Sequence, residues 1–194
     1  MPEQPELIVQ LQRGDESAFR RLVDECQDMV YNTAMGIVQN PEDADDITQE
    51  VFVQVYQSVS SFKGESKLST WLYRITVSKA LDHEKKWKRK KRFAFVQSLF
   101  GNAEDEPVQP AEFNHPGVQL ERKEKAAELF AALKQIPDKQ RIAFTLHKLE
   151  GQSYQEIAEI MKTSLYAVES LMGRARTNLK KILEKQYRLT STDQ

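Results

Sequence analysis

Apolar residues recur along this chain at intervals of three and four and nowhere in the strict alternation of a half-buried strand, which restricts the fold to helices. Ile47, Val51, Val55 and Val59 form one such stripe, and the polar residues Asp46, Gln49 and Glu50 point away from it. Asn40 before Pro41 supplies an N-cap and a proline at the first helical position. Glu42, Asp43, Asp45 and Asp46 then stand near the positive end of the helix dipole. A helix is therefore predicted from Pro41, ending by Ser60. "SSFKGESK" follows as a loop whose flexible point is Gly64, and Ser66 or Ser69 is the expected cap for a helix running through "STWLYRITVSKALDHEKKWKRKKR". The fold class that results is all-α.

Charge divides the chain further. The formal net charge is only -1, yet the first 62 residues hold 12 Asp or Glu against 3 Lys or Arg, while residues 63–92 hold 11 basic against 3 acidic. "KKWKRKKR", Lys85 to Arg92, is the densest part of the basic segment. Such a run is a solvated helix face or a phosphate-binding strip. Between Asn102 and Asn114 lie Glu104, Asp105, Glu106 and Glu112 without a basic residue, near Pro107, Pro110 and Pro116. That composition predicts an extended acidic linker. Two small helical domains are expected around it: residues 1–95, a linker over 96–125, a second domain over 126–187, and a tail at 188–194.

The second domain carries the clearest local motif. Ser153 and Glu156 match the S-x-x-E capping box, Ile157, Ala158 and Met161 give a short apolar face, and a polar break over Lys162 to Ser164 precedes a further helix. Val168, Leu171, Met172, Ala175, Leu179 and Ile182 form the buried stripe of that helix. A short helix, a turn of about 3 to 4 residues and a longer helix with Arg174, Arg176, Lys180 and Lys181 beside its stripe make a helix-turn-helix, whose second helix fits the DNA major groove. A plain helical hairpin would share the pattern but leave the clustered cations without a task.

Other chemistries find little support. One cysteine, Cys26, allows no internal disulfide framework or cysteine metal cluster, and His83, His115 and His147 lie far apart without metal-ligand spacing. No metal, cofactor or catalytic residue is assigned. "MPEQPELIVQ" lacks the basic and apolar segments of a signal peptide, and no apolar run nears the roughly 20 residues of a membrane span. A cytoplasmic protein without direct membrane insertion is expected.

"NPEDADDITQEVFVQVYQSVSSFKGESKLSTWLYRI" followed by a basic helix, then "IPDKQRIAFTLHKLEGQSYQEIAEIM" and "VESLMGRAR", resembles the extracytoplasmic-function class of bacterial sigma factors from about Gly14 to Leu183. The resemblance implies a promoter-specificity subunit that binds core RNA polymerase through the beta and beta-prime subunits, recognises two promoter elements and melts the nearer one. It places Asp46, Gln49 and Glu50 on the clamp helices of beta-prime, although dipole complementarity alone would also explain them. It assigns Phe62, Lys63, Ser66, Trp71 and Ser78 to the minus-ten element. The phosphates of the melted strands would fall to Lys85, Lys88, Arg89 and Lys91. Trp87 can stack on a base or anchor its helix, and packing ranks first for both Trp87 and Trp71.

For the minus-thirty-five element the expected residues are Ser153, Tyr166, Glu169, Ser170, Arg174, Arg176 and Lys180. Four positions depart from the family pattern. Ser78 stands where many relatives have Asn, Lys162 at a turn that is commonly Gly, Glu169 where Lys or Arg is common, and Gly173 where a larger side chain is usual. A carboxylate at Glu169 would read cytosine through its exocyclic amino group. The class also implies a possible anti-sigma partner. Two alternatives remain at this stage. A free-standing helix-turn-helix regulator leaves the first domain without a task, and an enzyme lacks any supporting constellation.

Overall fold

The computed structural model describes residues 5–99 and 120–190. Eight helices carry the described chain: α1 Pro5–Gln12, α2 Glu16–Val38, α3 Pro41–Ser58, α4 Leu68–Leu99, α5 Leu120–Leu133, α6 Asp138–Lys148, α7 Tyr154–Ile160 and α8 Leu165–Thr190, with one 3-10 turn at Val59–Ser61. No strand occurs among the described residues.

Local chemistry accounts for most boundaries. Asp15 caps α2, its carboxylate accepting from the backbone N–H of Ser17 at 2.8 Å and Ala18 at 3.2 Å. Gln39 closes that helix in a left-handed conformation, φ 57°, with its N–H on the Met35 carbonyl. Asn40 then caps α3 by accepting from Asp43 N at 3.1 Å, as expected from the Asn-Pro pair. The start of α4 differs from expectation. The helix begins at Leu68, so Lys67 holds the cap position and Ser69 lies inside the helix. Ser66 Oγ instead accepts from Arg74 Nη1 at 3.4 Å.

Helices α1 to α4 enclose a core of Leu22, Val30, Ile37, Val51, Val55 and Leu72, each fully buried. Helices α5 to α8 enclose a second set that includes Leu133, Ile142, Leu146, Ile157, Val168 and Met172. The two sets touch. Helix α6 packs on α2 and α7 on α4, and the buried residues form one continuous cluster. Gly36 of α2 permits this approach, because a Cβ there would collide with Thr145 Cγ2 and lie 3.0 Å from Thr145 Oγ1. Of the expected linker, residues 96–99 continue α4 and 120–125 begin α5. Residues 100–119 and the tail beyond Thr190 lie outside the described residues.

Candidate nucleic-acid and protein interfaces

On α3 and the 3-10 turn that follows it the buried stripe is the expected one, with Ile47, Val51, Val55 and Val59 all inside. Asp46, Gln49 and Glu50 are exposed, and Glu50 meets Lys79 of α4 at 3.1 Å. The same surface is more apolar than its charges suggest. Val53 and Tyr56 are 57 % and 58 % exposed, and they border a groove of about 550 Å³ between α2 and α3, floored by Phe19, Val23 and Phe52. Phe19 and Tyr56 meet edge to face, ring centres 5.1 Å apart. Sequence reasoning named only the polar half of this face. The signal for the rest lay in "VFVQVYQ", where Val53 and Tyr56 fall off the buried stripe.

The loop before α4 is held from three sides. Phe62 is buried with its ring 5.1 Å from that of Trp71, and its carbonyl accepts from Gln12 Nε2 at 2.8 Å. Gly64 turns the chain with φ 70°, a conformation that costs a side-chain-bearing residue. Lys63 and Ser78 are exposed, whereas Trp71 is half-buried against the core, in line with its expected packing role. Trp71, Arg74 and Ser78 share one face of α4 by their i, i+3, i+7 spacing. Arg74, the residue sequence reasoning missed, connects that face to the loop through Ser66.

The basic segment separates into two parts. Arg89, Lys90, Lys91 and Arg92 are exposed and end at Phe93, which is 66 % exposed. Lys85 pairs with Asp82 at 3.1 Å on its own helix. Lys88 turns toward α6, 2.9 Å from Asp138 and 3.6 Å from Glu84. Arg141, only 2 % exposed, joins the same carboxylates at 3.0 Å from Asp138 and 3.2 Å from Glu84. Trp87 is half-buried at the edge of a 490 Å³ cavity between α4 and the α5–α6 turn, with Lys91 Nζ 5.0 Å and Lys134 Nζ 6.0 Å from its ring centre.

The helix-turn-helix forms from α7, the turn at 161–164 and α8. Its capping box is complete: Ser153 N donates to Glu156 Oε2 at 2.9 Å, and Glu156 N donates to Ser153 Oγ at 3.3 Å. The Ser153 N–H and its hydroxyl, which donates to the same oxygen at 2.8 Å, hold the Glu156 carboxyl below its ordinary 4.5. Lys162 adopts φ 49°, a left-handed conformation that costs a side-chain-bearing residue. Val168, Met172, Ala175 and Leu179 of α8 are buried, whereas Tyr166 is 80 % exposed and Glu169, Arg174, Arg176 and Lys180 face solvent. Ser170 is half-buried, and Gly173 opens onto free space. Arg176 Nη2 donates to Tyr154 OH at 3.0 Å, and Lys180 lies 3.8 Å from Glu184.

His83 and His147 serve packing and polar contacts. His83 Nε2 is 3.2 Å from Asp43 Oδ1, and His147 Nδ1 is 2.9 Å from the Gln152 carbonyl; His115 lies outside the described residues. Among the described residues no cluster of three or more His, Cys, Asp or Glu could hold a metal ion, and no helix is long and apolar enough to cross a membrane.

Comparison with known proteins matches both helical sets. The family described as Sigma-70 region 2 matches residues 22–92, and Sigma-70, region 4 matches residues 126–179. The RNA polymerase sigma-H factor of Pseudomonas aeruginosa is 30 % identical over 179 residues, 92 % of this chain and 93 % of that protein. The ECF RNA polymerase sigma-E factor of Escherichia coli is 32 % identical over 170 residues, 88 % of each. Among solved structures, CnrH in complex with the cytosolic domain of CnrY shares the fold with a TM-score of 0.66 at 22 % identity, covering 92 % of this chain and 96 % of that one. The sigma factor RpoE of Bartonella quintana, solved with the anti-sigma factor NepR, gives 0.60 at 21 % identity, covering 86 % and 96 %. Two region-specific matches in the right order, a complete helix-turn-helix and relatives aligned over nearly their whole length lead to one conclusion: this chain is a sigma factor of the sigma-70 family, in its extracytoplasmic-function (ECF) class.

Proposed function

We propose that residues 1–95 of this sigma factor bind core RNA polymerase and recognise and melt the minus-ten element, and that residues 126–187 read the minus-thirty-five element. Residues 96–125 link them and 188–194 form a tail. One observation carries this reading: a single chain presents two separate cationic elements, the exposed end of α4 and the outer face of α8, together with one acidic and apolar face on α3. Each has the chemistry its partner needs. Asp46, Gln49 and Glu50 provide charge and register for a basic polymerase surface, and Val53 and Tyr56 provide apolar area. Phe62, Lys63, Ser66, Trp71 and Ser78 shape the site for a minus-ten base, with Arg74 orienting the loop. Lys85, Lys88, Arg89 and Lys91 neutralise phosphates of the opened strands.

On α8, Glu169 and Ser170 face base edges, while Arg174, Arg176 and Lys180 hold the backbone, flanked by Tyr166 and the Ser153 cap. The protein acts in the cytoplasm by binding alone, with no cofactor and no catalytic step. The Bartonella quintana sigma factor RpoE was solved with an anti-sigma factor, and a partner of that kind fits the same exposed α2–α3 groove. Run-off transcription with core polymerase and a promoter library tests the whole reading. Discrete transcripts that depend on this chain are expected. Specific promoter binding without core polymerase, and no dependent transcript with it, would favour a free-standing regulator instead.

A further inference from the structure

Helix α1 has no task among the promoter and polymerase contacts proposed, and it lies before residues 22–92, the span matched as Sigma-70 region 2. Leu7 and Leu11, one helical turn apart, are buried and seat α1 against the 3-10 turn at Val59–Ser61. Gln12, the last residue of α1, follows Leu11 directly and is thereby carried to the start of the loop that joins this turn to α4. Its Nε2 donates to the Phe62 carbonyl at 2.8 Å, across 50 positions of sequence.

Phe62 is the residue from which that loop departs. Its N–H donates to the Val59 carbonyl at 3.0 Å and closes the 3-10 turn, its ring is buried 5.1 Å from that of Trp71, and its carbonyl is held by Gln12. At the other end of the loop Arg74 donates to Ser66. Between these two anchors Lys63, Gly64 and Glu65 are exposed. The Phe62 carbonyl belongs to the planar peptide that joins Phe62 to Lys63. Fixing its direction therefore fixes ψ of Phe62, here 115°, and with it the path on which Lys63 and Gly64 leave the core. Rotation about that one bond would swing the loop while leaving the Phe62 ring in place.

We propose that Gln12 is a positioning residue for the minus-ten element: from α1 it locks the peptide between Phe62 and Lys63, so that the loop stands ready for a captured base before DNA arrives. The inference rests on the assignment of Phe62, Lys63 and Ser66 to that element. A loop already held in its binding conformation loses less binding free energy to ordering. Where part of the population has the loop misdirected, the apparent affinity for the fitting base falls in proportion to the fraction that remains competent. A base that does not enter the pocket gains nothing from the loop, so its binding is unaffected. Gln12 acts on discrimination between bases rather than on affinity for DNA in general.

The test uses holoenzyme assembled with the full chain, and a promoter selected by run-off transcription whose minus-ten region is pre-opened and carries each of the four bases in turn at every position of the non-template strand. Gln12→Met keeps the length and helix propensity of the side chain and removes the donor. At the captured position the affinity ratio between the preferred base and the next should fall about fivefold, the factor carried by one net hydrogen bond. Core-polymerase affinity and minus-thirty-five preference should stay as in the parent. Gln12→Lys, whose ammonium can still donate, should restore the ratio even where its charge raises affinity for every DNA. A loss that fell on all four bases alike would reduce Gln12 to a stabilising contact and overturn the proposal, and a ratio still low in Gln12→Lys would show that the missing donor is not the cause. Ser66→Ala, measured alongside, separates this role from the assignment beneath it. A changed ratio for Ser66→Ala beside an unchanged one for Gln12→Met overturns the role of Gln12 alone. Unchanged ratios for both remove the loop from base reading, and the proposal with it.

Discussion

Lys162 shows how one backbone angle becomes a measurable cost. Its φ of 49° lies where a Cβ crowds the following carbonyl, a penalty of roughly 1 to 2 kcal/mol, part of which glycine gives back through its larger unfolded-state freedom. Lys162→Gly should therefore stabilise the helix-turn-helix by about 1 kcal/mol, read as a higher urea midpoint at unchanged slope. A lower midpoint would mean that the Lys162 side chain contributes more than its backbone costs. Glu169 sets a carboxylate on a helix face that otherwise carries Arg174, Arg176 and Lys180. It is exposed on the outer face of α8, where a carboxylate accepts from the cytosine amino group and a lysine would prefer guanine. Selection from a randomised promoter library should return a changed minus-thirty-five sequence for Glu169→Lys and an unchanged but uniformly weaker one for Arg176→Ala. An unchanged preference for Glu169→Lys would leave that residue without a reading role.

Single helices are read from sequence best where their ends are chemically self-contained. The α3 cap needs only Asn40 and the Asp43 N–H, and the α7 capping box only Ser153 and Glu156, so both were legible from residues three apart. The start of α4 was not. Ser66, an expected cap, is bonded to Arg74 eight residues further on, and no local pattern encodes that choice. The capping box gives α7 a definite pH response. Bonds from Ser153 hold the Glu156 carboxyl below its ordinary 4.5, so the carboxylate's contribution is present above that value and disappears as pH falls through the lowered one. Ser153→Ala should cost about 1 kcal/mol at neutral pH. Its deficit against the parent should shrink in acid to the part owed to the Ser153 hydroxyl on the Glu156 N–H, followed by amide exchange across α7. A pH-independent deficit would assign the loss to the hydroxyl alone.

The basic end of α4 teaches a similar lesson, since seven cations in eight residues looked uniform and are not. Arg89 is exposed, while Lys88 is shared between Glu84 and Asp138. Arg89→Ala should lower the salt slope of open-complex formation by about 1, because one fewer counterion is released. Lys88→Ala should lower it less, as its charge is already matched in the free chain, and comparison of permanganate reactivity across a salt series separates the two. Equal slopes would mean that Lys88 leaves its carboxylates entirely when DNA binds.

At the scale of the whole molecule, helix content and order followed from periodicity and caps, and the roles of the two halves from the family resemblance, but their mutual packing did not. The contacts that unite them, Thr145 with Gly36 and Tyr73 with Glu150, span 109 and 77 positions and are polar, so neither hydrophobic pattern nor local spacing announces them. The same limit hid half of the α3 face. Its charges were visible as a D-x-x-Q-E spacing, whereas Val53 and Tyr56 line a groove only once Phe19 and Val23 of α2 complete it beside them. A face with both components should lose polymerase in two distinguishable ways. Exposed charges steer encounter and are screened by salt, so reversing Asp46 and Glu50 to Lys should slow association, most strongly at low ionic strength, with little change in fold stability. Tyr56 is an exposed aromatic at the groove edge, and aromatic anchors act mainly after contact is made. Tyr56→Ser should speed dissociation at least several-fold and depend little on salt. Surface-bound core polymerase, with the sigma factor flowed across it at two ionic strengths, measures both rates. Unchanged kinetics for both variants would remove α3 from the polymerase interface. A charge reversal that altered only dissociation would place Asp46 and Glu50 in the desolvated centre of the contact, with the apolar groove at its rim.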